Sequence, residues 1–585
     1  MRAFESRNSF PLRLENRSYR FVNLRNMETV EGPVNDGDVV EIDGWAFVEA
    51  LDSHETWVIA FDTRGSVTSN DTEEKHMRLL IRREEGFLEI DSGIALGTGN
   101  PHVFVHRGKG DLDEAINGFR DFLQKHVLPP LTGLDPQLSY NVWYTDDAAE
   151  RLYLEDAEFA AWMGFDVFTI DASWNEGGSI IPATNDWGAG LGSYVESRVK
   201  FPHGIRYLSD RVHDLGLKFG LWVDPQNVDT RRVTSGEIPE SWVARIDGKD
   251  LQCDHPTLSL MTELCLGNPE VVEWLRKELS RVIDEWRVDW VKWDPSGTVS
   301  YACDRTDHGH SSADGAKAYF RGRREIMTYL FERHPHLNGW ECIFDMEICR
   351  VNPLEGHYRN VLPAYMNRFV TGPMVGPHVW GSMEYIFGTH ESHDSLLASP
   401  YYEASYLDYF FRRILCAGGL SMGNITGLVS QRLRNAPLGY NDAFKRNMLQ
   451  FKQYRHLYLE DCFRTGLLGH SDNWNALQYV KRDASESLLF VFRNGGSHDN
   501  GIVCLRGLDP EAEYTVGSWN QRPGKERTFS GRDLAQAGIS VTLPDPYLAK
   551  ANYSLERMDK ATRKAFETQL VYGSDVLVLT RKEGK

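Results

Sequence analysis

The stretch Val288-Asp289-Trp290-Val291-Lys292-Trp293-Asp294-Pro295-Ser296-Gly297 limits the possible folds more than any other part of the chain. Val and Trp alternate along it, and Pro295 and Gly297 end it abruptly, the pattern of a strand covered on both faces. Strands of that kind belong to parallel sheets with helical crossovers. A lysine and an aspartate two positions apart at such a strand's end point to one side, and in a parallel barrel that end is the rim where chemistry gathers. Lys292 is therefore expected to hold Asp294 ionised; the alternative is an ion pair that merely closes the strand.

The surrounding rhythm agrees with a parallel sheet. Strands are expected at 139–144, 166–170, 218–223 and 289–293, separated by helices at 150–163, 204–215 and 269–285. Further strands at 339–344, 346–351, 373–379 and 414–422 bring the number to eight, so the chain is read as an α/β protein built on a (β/α)8 TIM barrel. Polar or aromatic residues stand at the strand ends: Asp146-Asp147, Asp171 with Trp174, Asp224, Asp294 and His378.

Outside this region the pattern changes to short alternating segments broken by Gly, Asn and Asp. Three domains are expected: an N-terminal β-sandwich over 1–125, the barrel over 126–468, and an antiparallel C-terminal β-sandwich over 469–585. A charged, helical insertion is expected between 545 and 569.

A formal net charge of −20 argues against nucleic acid or an anionic membrane as partner. No apolar run is long enough to span a bilayer, and Met1–Asn8 lacks a signal-peptide core, so a cytoplasmic location is expected. Eight cysteines without a paired spacing are read as free thiols. Sixteen tryptophans supply flat faces of the kind that cover sugar rings, which favours a neutral glycoside as ligand.

Several motifs, taken in order, resemble the α-galactosidase-like enzymes of glycoside hydrolase family 36. Val291-Lys292-Trp293-Asp294 resembles the strand that carries the family's nucleophile, and Phe219-Gly220-Leu221-Trp222-Val223-Asp224-Pro225 the strand before it. Lys200-Phe201-Pro202-His203-Gly204 resembles the start of the connecting helix, Glu341-Cys342 the strand whose cysteine touches the sugar, and Val375-Gly376-Pro377-His378-Val379 a later strand. The resemblance runs from about residue 110 to the C-terminus, and the N-terminal domain is abbreviated against longer members. It implies retaining hydrolysis with Asp294 as nucleophile and a second carboxyl group as acid/base.

Two residues compete for the second role. Motif order favours Glu355, whereas the local letters Ser392-His393-Asp394 favour Asp394; Asp345 and Glu347 are outside possibilities. The resemblance further implies a sugar pocket lined by Trp143, Asp171, Trp174, Trp222 and Asp224, with Lys292, Cys342, Arg350 and His378 as further contacts. Core packing remains the competing role for each Trp and for Cys342, and a surface ion pair for Arg350. The chain departs from the family at Asp171-Ala172-Ser173-Trp174, where members carry two adjacent Asp, and in the segment after Cys342. Both departures bear on sugar identity. No cofactor or metal is expected: His308-Gly309-His310 and His390 with His393 match no closed metal site. The expected partner is an oligosaccharide or glycoside substrate, and a homo-oligomer fits this kind of enzyme.

Overall fold

The computed structural model describes, within the first 132 residues, the nine strands given below and residues 51, 110–111, 113–115, 117–118 and 121. It then describes 138–142, 149–177, 188–253, 260–293, 303–341, 408, 412, 415–416, 420–424, 438–465, 467–468, 474–494, 500–521, 524–543 and 572–583. The chain divides into two compact units. One comprises Met1–Thr132, Trp143–Glu155 and Phe168–Val361, the other Gly133–Val142, Asp156–Val167 and Leu362–Lys585.

The first unit opens with β1 (Arg7–Phe10), β2 (Ser18–Asn23), β3 (Thr29–Pro33), β4 (Val39–Ile42), β5 (Trp45–Ala50), β6 (Glu55–Phe61), β7 (Met77–Arg82), β8 (Phe87–Asp91) and β9 (Val103–Lys109). They form two antiparallel sheets, ordered β1-β8-β7-β4 and β3-β2-β5-β6-β9.

Six strands follow: β10 (Leu138–Val142), β11 (Val167–Ile170), β12 (Lys218–Val223), β18 (Trp290–Trp293), β19 (Asn338–Glu341) and β20 (Leu420–Asn424), with β12, β18 and β19 paired in parallel. In the first unit the order is β19-β18-β12-β11, with Lys292 opposite Trp222 on one side and Trp340 on the other. In the second unit β10 runs parallel to β20, Leu138 opposite Leu420. Every residue of β10, β11 and β18 is buried, as two-sided coverage requires.

Helices separate these strands: α1 (Ala149–Met163), α2 (Ile205–Asp214), α3 (Thr230–Thr234), α4 (Pro269–Trp286) and α5 (Gly315–Arg333). α4 shows how local sequence sets an element. The Asn268 side chain accepts from the Glu270 N–H, Pro269 fills the first turn, and Arg287 ends the helix in the left-handed region at φ 52°. Its stripe of Val271, Val272, Leu275, Leu279, Val282, Ile283 and Trp286 is buried, following the helical period.

Two expectations about elements change. The run at 414–422 was expected to be one strand, but Leu415 is helical, Cys416 lies in a turn, and β20 begins only at Leu420. Short apolar runs suit helix and strand equally, and Gly418-Gly419 divides this one. Between β12 and α4 lies an excursion that sequence periodicity does not reveal: β13 (Asn227–Asp229), β14 (Arg245–Ile246), β15 (Lys249–Asp250), β16 (Gln252–Cys253) and β17 (Met261–Glu263). Strands of two or three residues are too short to show a period. The strands expected at 346–351 and 373–379 lie outside the described residues.

The second unit continues with α6 (Leu438–Tyr454), β21 (Asp461–Thr465), β22 (Leu467–Leu468), β23 (Trp474–Val480), β24 (Glu486–Asn494), β25 (Asn500–Val503), β26 (Glu513–Ser518), β27 (Arg527–Ser530), α7 (Gly531–Gln536), β28 (Ile539–Thr542) and β29 (Tyr572–Arg581). The strands form two sheets, β21-β23-β24-β29-β26-β27 and β22-β25-β28. One core joins them, with Leu489, Val491, Tyr514 and Leu579 from the larger sheet and Val503, Ile539 and Val541 from the smaller. The expected insertion at 545–569 lies outside the described residues.

Candidate active site

Strand β18 is fixed at both ends by charge. At its entry the Asp289 carboxylate accepts from the Phe219 N–H (2.9 Å) and pairs with His213 Nε2 (2.7 Å), which ties the strand to β12 and α2. Burial pushes the Asp289 pKa up, but the bonds from His213 and Phe219 outweigh it and hold the carboxyl below its usual range. Near its exit Lys292 donates from Nζ to Asp171 Oδ2 at 2.7 Å, and both side chains are buried. Asp171 follows β11, and its other oxygen accepts the Ala172 N–H at 2.6 Å. Lys292, expected to face Asp294, thus forms an ion pair with the carboxylate at the end of another strand. Removing one member of a buried pair leaves an uncompensated charge and costs about 3–5 kcal/mol.

The turn after β11 is sharply constrained. Ser173 sits at φ 73°, in the left-handed region that non-glycine residues seldom enter. Buried Lys200 holds it there, donating to the Ser173 carbonyl at 2.7 Å and also to its hydroxyl. The next residue, Trp174, donates its indole N–H to the Trp222 carbonyl at 2.8 Å and meets Trp286 edge-on at 5.2 Å. Trp222 packs with Ala172, Leu191 and Met261 in a small apolar cluster. Each of the two indoles is 2% exposed, so both occupy packing positions. Ala172, standing where the resemblance leads one to expect a second Asp, belongs to this cluster.

At the end of β12 the Asp224 carboxylate organises its own turn, accepting from the N–H groups of Gln226 (3.2 Å) and Asn227 (3.0 Å) and from Asn227 Nδ2. Burial, then the charges of Asp224 and Glu278, drive the Tyr194 phenol well above its usual pKa, so it stays a hydrogen-bond donor. The Tyr319 hydroxyl from α5 donates to Gln226 Oε1. Two buried donors, Trp293 Nε1 and Gln226 Nε2, have no hydrogen-bond partner among the described residues.

Of the residues picked out from sequence, Asp171, Trp174, Trp222, Asp224 and Lys292 are described, and Asp171 meets Lys292 while Trp174 meets Trp222. Trp143, Asp294, Cys342, Arg350, Glu355, His378 and Asp394 lie outside the described residues. Sequence reasoning missed Lys200, Tyr194, Gln226, Asn227 and Tyr319. Asp-Pro-Gln-Asn at a strand end is a legible turn signal, but nothing in the letters ties Lys200 or Tyr319 to these turns. It also missed a second constellation in the same unit. Ligating atoms of Cys265, Cys303, His308 and His310 lie within 4.8 Å of one another, a donor set able to hold a metal ion. The neighbouring sulfur of Cys265 pulls the Cys303 thiol below its usual pKa, and the Cys303 sulfur together with burial pushes that of Cys265 up.

Comparison with known proteins matches two stretches of the chain. A family model described as Melibiase matches residues 100–350, and one for the glycosyl hydrolase family 36 C-terminal domain matches 474–557. The probable alpha-galactosidase C of Aspergillus terreus is 24% identical over 418 residues, 68% of this chain and 49% of that protein. An alpha-galactosidase of Escherichia coli is 29% identical over 189 residues, 32% and 24% of the respective chains. The chain thus spans about half or less of the length of these curated relatives. Among solved structures, the GH36 alpha-galactosidase AgaB of Geobacillus stearothermophilus superposes with a TM-score of 0.68 at 16% identity, covering 98% of this chain and 76% of that one. AgaA of the same organism, solved in complex with raffinose, gives 0.66 at 15% identity with the same coverage. These superpositions establish a shared fold.

Proposed function

The chain belongs to the glycoside hydrolase family 36-like group, and from that membership we propose that it is a retaining exo-α-glycosidase that removes terminal α-galactosyl-type residues from oligosaccharides or glycosides. The observation that carries the reading is the buried Lys292–Asp171 pair, which sets a cation two positions before Asp294 in the sequence against the carboxylate that follows β11. A nucleophile must stay ionised, and an ammonium on the same strand favours the charged form.

In this mechanism Asp294 attacks the anomeric carbon while a protonated carboxyl group, Glu355 or Asp394, donates its proton to the leaving oxygen. The same group then deprotonates the water that releases the glycosyl enzyme. Retention calls for these two carboxyl groups to stand about 5–5.5 Å apart. Asp171 and Asp224 accept hydroxyl hydrogen bonds from the sugar, with Trp143, Cys342, Arg350 and His378 as further contacts. The proposal extends to architecture: the parallel strands close a (β/α)8 barrel over 126–468, between β-sandwich domains at 1–125 and 469–585. Among the described residues no helix is long and apolar enough to cross a membrane. The free thiols suit a reducing cytoplasm.

The test is a galactose-configured covalent inactivator followed by mapping of the labelled carboxylate. Label on Asp294, with turnover of an aryl α-galactoside lost in Asp294→Asn, supports the reading; full activity in that variant refutes it. One observation favours a different α-linked sugar: Ala172 packs against Leu191, Trp222 and Met261 where family members present a carboxylate. A panel of aryl α-glycosides separates the two, since preference for the galactoside defeats the second.

A further inference from the structure

The Cys/His constellation lies outside the chemistry proposed for the strand ends, and its geometry is specific. Cys265 Sγ is 3.4 Å from His310 Nε2, and Cys303 Sγ is 3.5 Å from His308 Nδ1. A tetrahedral zinc ion with sulfur at about 2.3 Å and imidazole nitrogen at about 2.0–2.1 Å puts S and N about 3.5 Å apart. The measured separations match that edge.

The second ring nitrogens settle which atoms face the centre. His308 Nε2 lies 2.6 Å from the Ser241 carbonyl and His310 Nδ1 lies 2.8 Å from the Ser311 carbonyl. A carbonyl only accepts, so each of these nitrogens carries the proton, and the lone pairs of His308 Nδ1 and His310 Nε2 face the thiols. This is the outer-shell arrangement that orients metal-bound imidazoles. Gly309, at φ 74°, supplies the left-handed turn that folds two histidines one residue apart back onto one centre. Gly267 keeps the approach open, because a Cβ there would meet His310 Cδ2 at 2.8 Å.

We propose that Cys265, Cys303, His308 and His310 bind one zinc ion in a closed, structural Cys2His2 site. Two thiolates and two imidazoles form the donor set of tetrahedral zinc and fill all four positions, so no site remains for a catalytic water. The site's place in the chain defines its task. Cys265 stands just before α4, the helix that feeds β18, and the segment Cys303–His310 precedes α5, the helix that follows β18. The ion therefore cross-links the two helices that bracket the strand carrying Lys292. It also pins the β13–β17 excursion, through the Ser241 carbonyl shared by His308 and Asn268.

The experiment measures metal in the full chain purified under reducing conditions, by elemental mass spectrometry, and then replaces zinc with cobalt(II). The expected result is about one zinc per chain, a cobalt spectrum with thiolate charge-transfer bands and tetrahedral d–d intensity, and Cys265 and Cys303 shielded from thiol reagents until chelator is added. Cys303→Ser and His310→Ala should each lose the ion, and chelator should lower the wild-type melting temperature without affecting that of the variants. Where a variant fails to fold, the wild-type metal content, cobalt spectrum and thiol titre decide alone. Wild-type protein that retains no zinc after loading, shows freely titrating thiols, or carries a Cys265–Cys303 disulfide overturns the proposal. Loss of glycosidase activity with zinc still bound would count against the functional reading and leave this one intact.

Discussion

The strand-end pair and the Cys/His cluster are both knots of buried polar groups in the same compact unit, but they are held by opposite means. Lys292, on a regular strand, and Asp171, at the end of another, are opposite charges, and their partnership repays desolvation only while both are present. Cys265, Cys303, His308 and His310 are soft sulfur and imidazole donors on the irregular segments before two helices, and backbone carbonyls aim the two histidines. The first arrangement holds a buried charge pair between two strand ends. The second exposes no reactive position and serves cohesion. Buried polarity alone therefore does not mark an active site; the charge and the elements that present it do.

Five substitutions in four tests sharpen this contrast, and the expected effects decrease in order. Asp294→Asn should cut turnover of an aryl α-glycoside by on the order of 10^3-fold or more with an unchanged unfolding curve. An active variant would break the assignment of chemistry to the strand end. Lys292→Met should destabilise by about 3–5 kcal/mol in urea titrations, and adding Asp171→Asn should restore part of the loss. If the double variant is no more stable than the single, the pair is not what holds β11 to β18.

Asp289 tests the entry of the same strand. Its native pKa lies below the unfolded value, so its contribution is complete above about pH 4 and is lost as pH falls through the lower native pKa. Asp289→Asn should cost roughly 1.5–3 kcal/mol at neutral pH and converge with wild type as pH falls through the lowered native pKa, as followed by urea midpoints across pH. A constant difference at every pH would show that the carboxylate charge is not the source. Asn268→Ala, at the start of α4, should cost about 1 kcal/mol through loss of the helix cap, read as a shifted urea midpoint at constant slope. It should leave glycosidase turnover unchanged, and a large fall in turnover would erase the division between cohesion and chemistry.

Much of the fold was legible because it is written in local periods. Two-sided strands such as β18 and amphipathic helices such as α4 emerge within a few residues of their expected limits. Lys292 and Asp171 were legible as candidates because a charge at the end of a buried strand demands compensation. Their pairing was not, since 121 positions separate them and only the neighbouring of β11, β12 and β18 brings them together.

The Trp residues show the reverse limit. Sequence places Trp174 and Trp222 at strand ends, where a sugar platform is plausible, but only packing shows the Trp174 N–H spent on a backbone carbonyl and Trp222 enclosed by Leu191 and Met261. His308-Gly309-His310 suggests a metal but by its spacing matches no closed site, because Cys265 and Cys303 are supplied by segments on either side of a whole helix and strand. By itself the sequence determined the elements and the charges that needed partners, since propensity, period and desolvation act locally. Which groups meet was decided only by the tertiary structure, because hydrogen bonds and ion pairs depend on distances of a few ångströms that sequence separation does not encode.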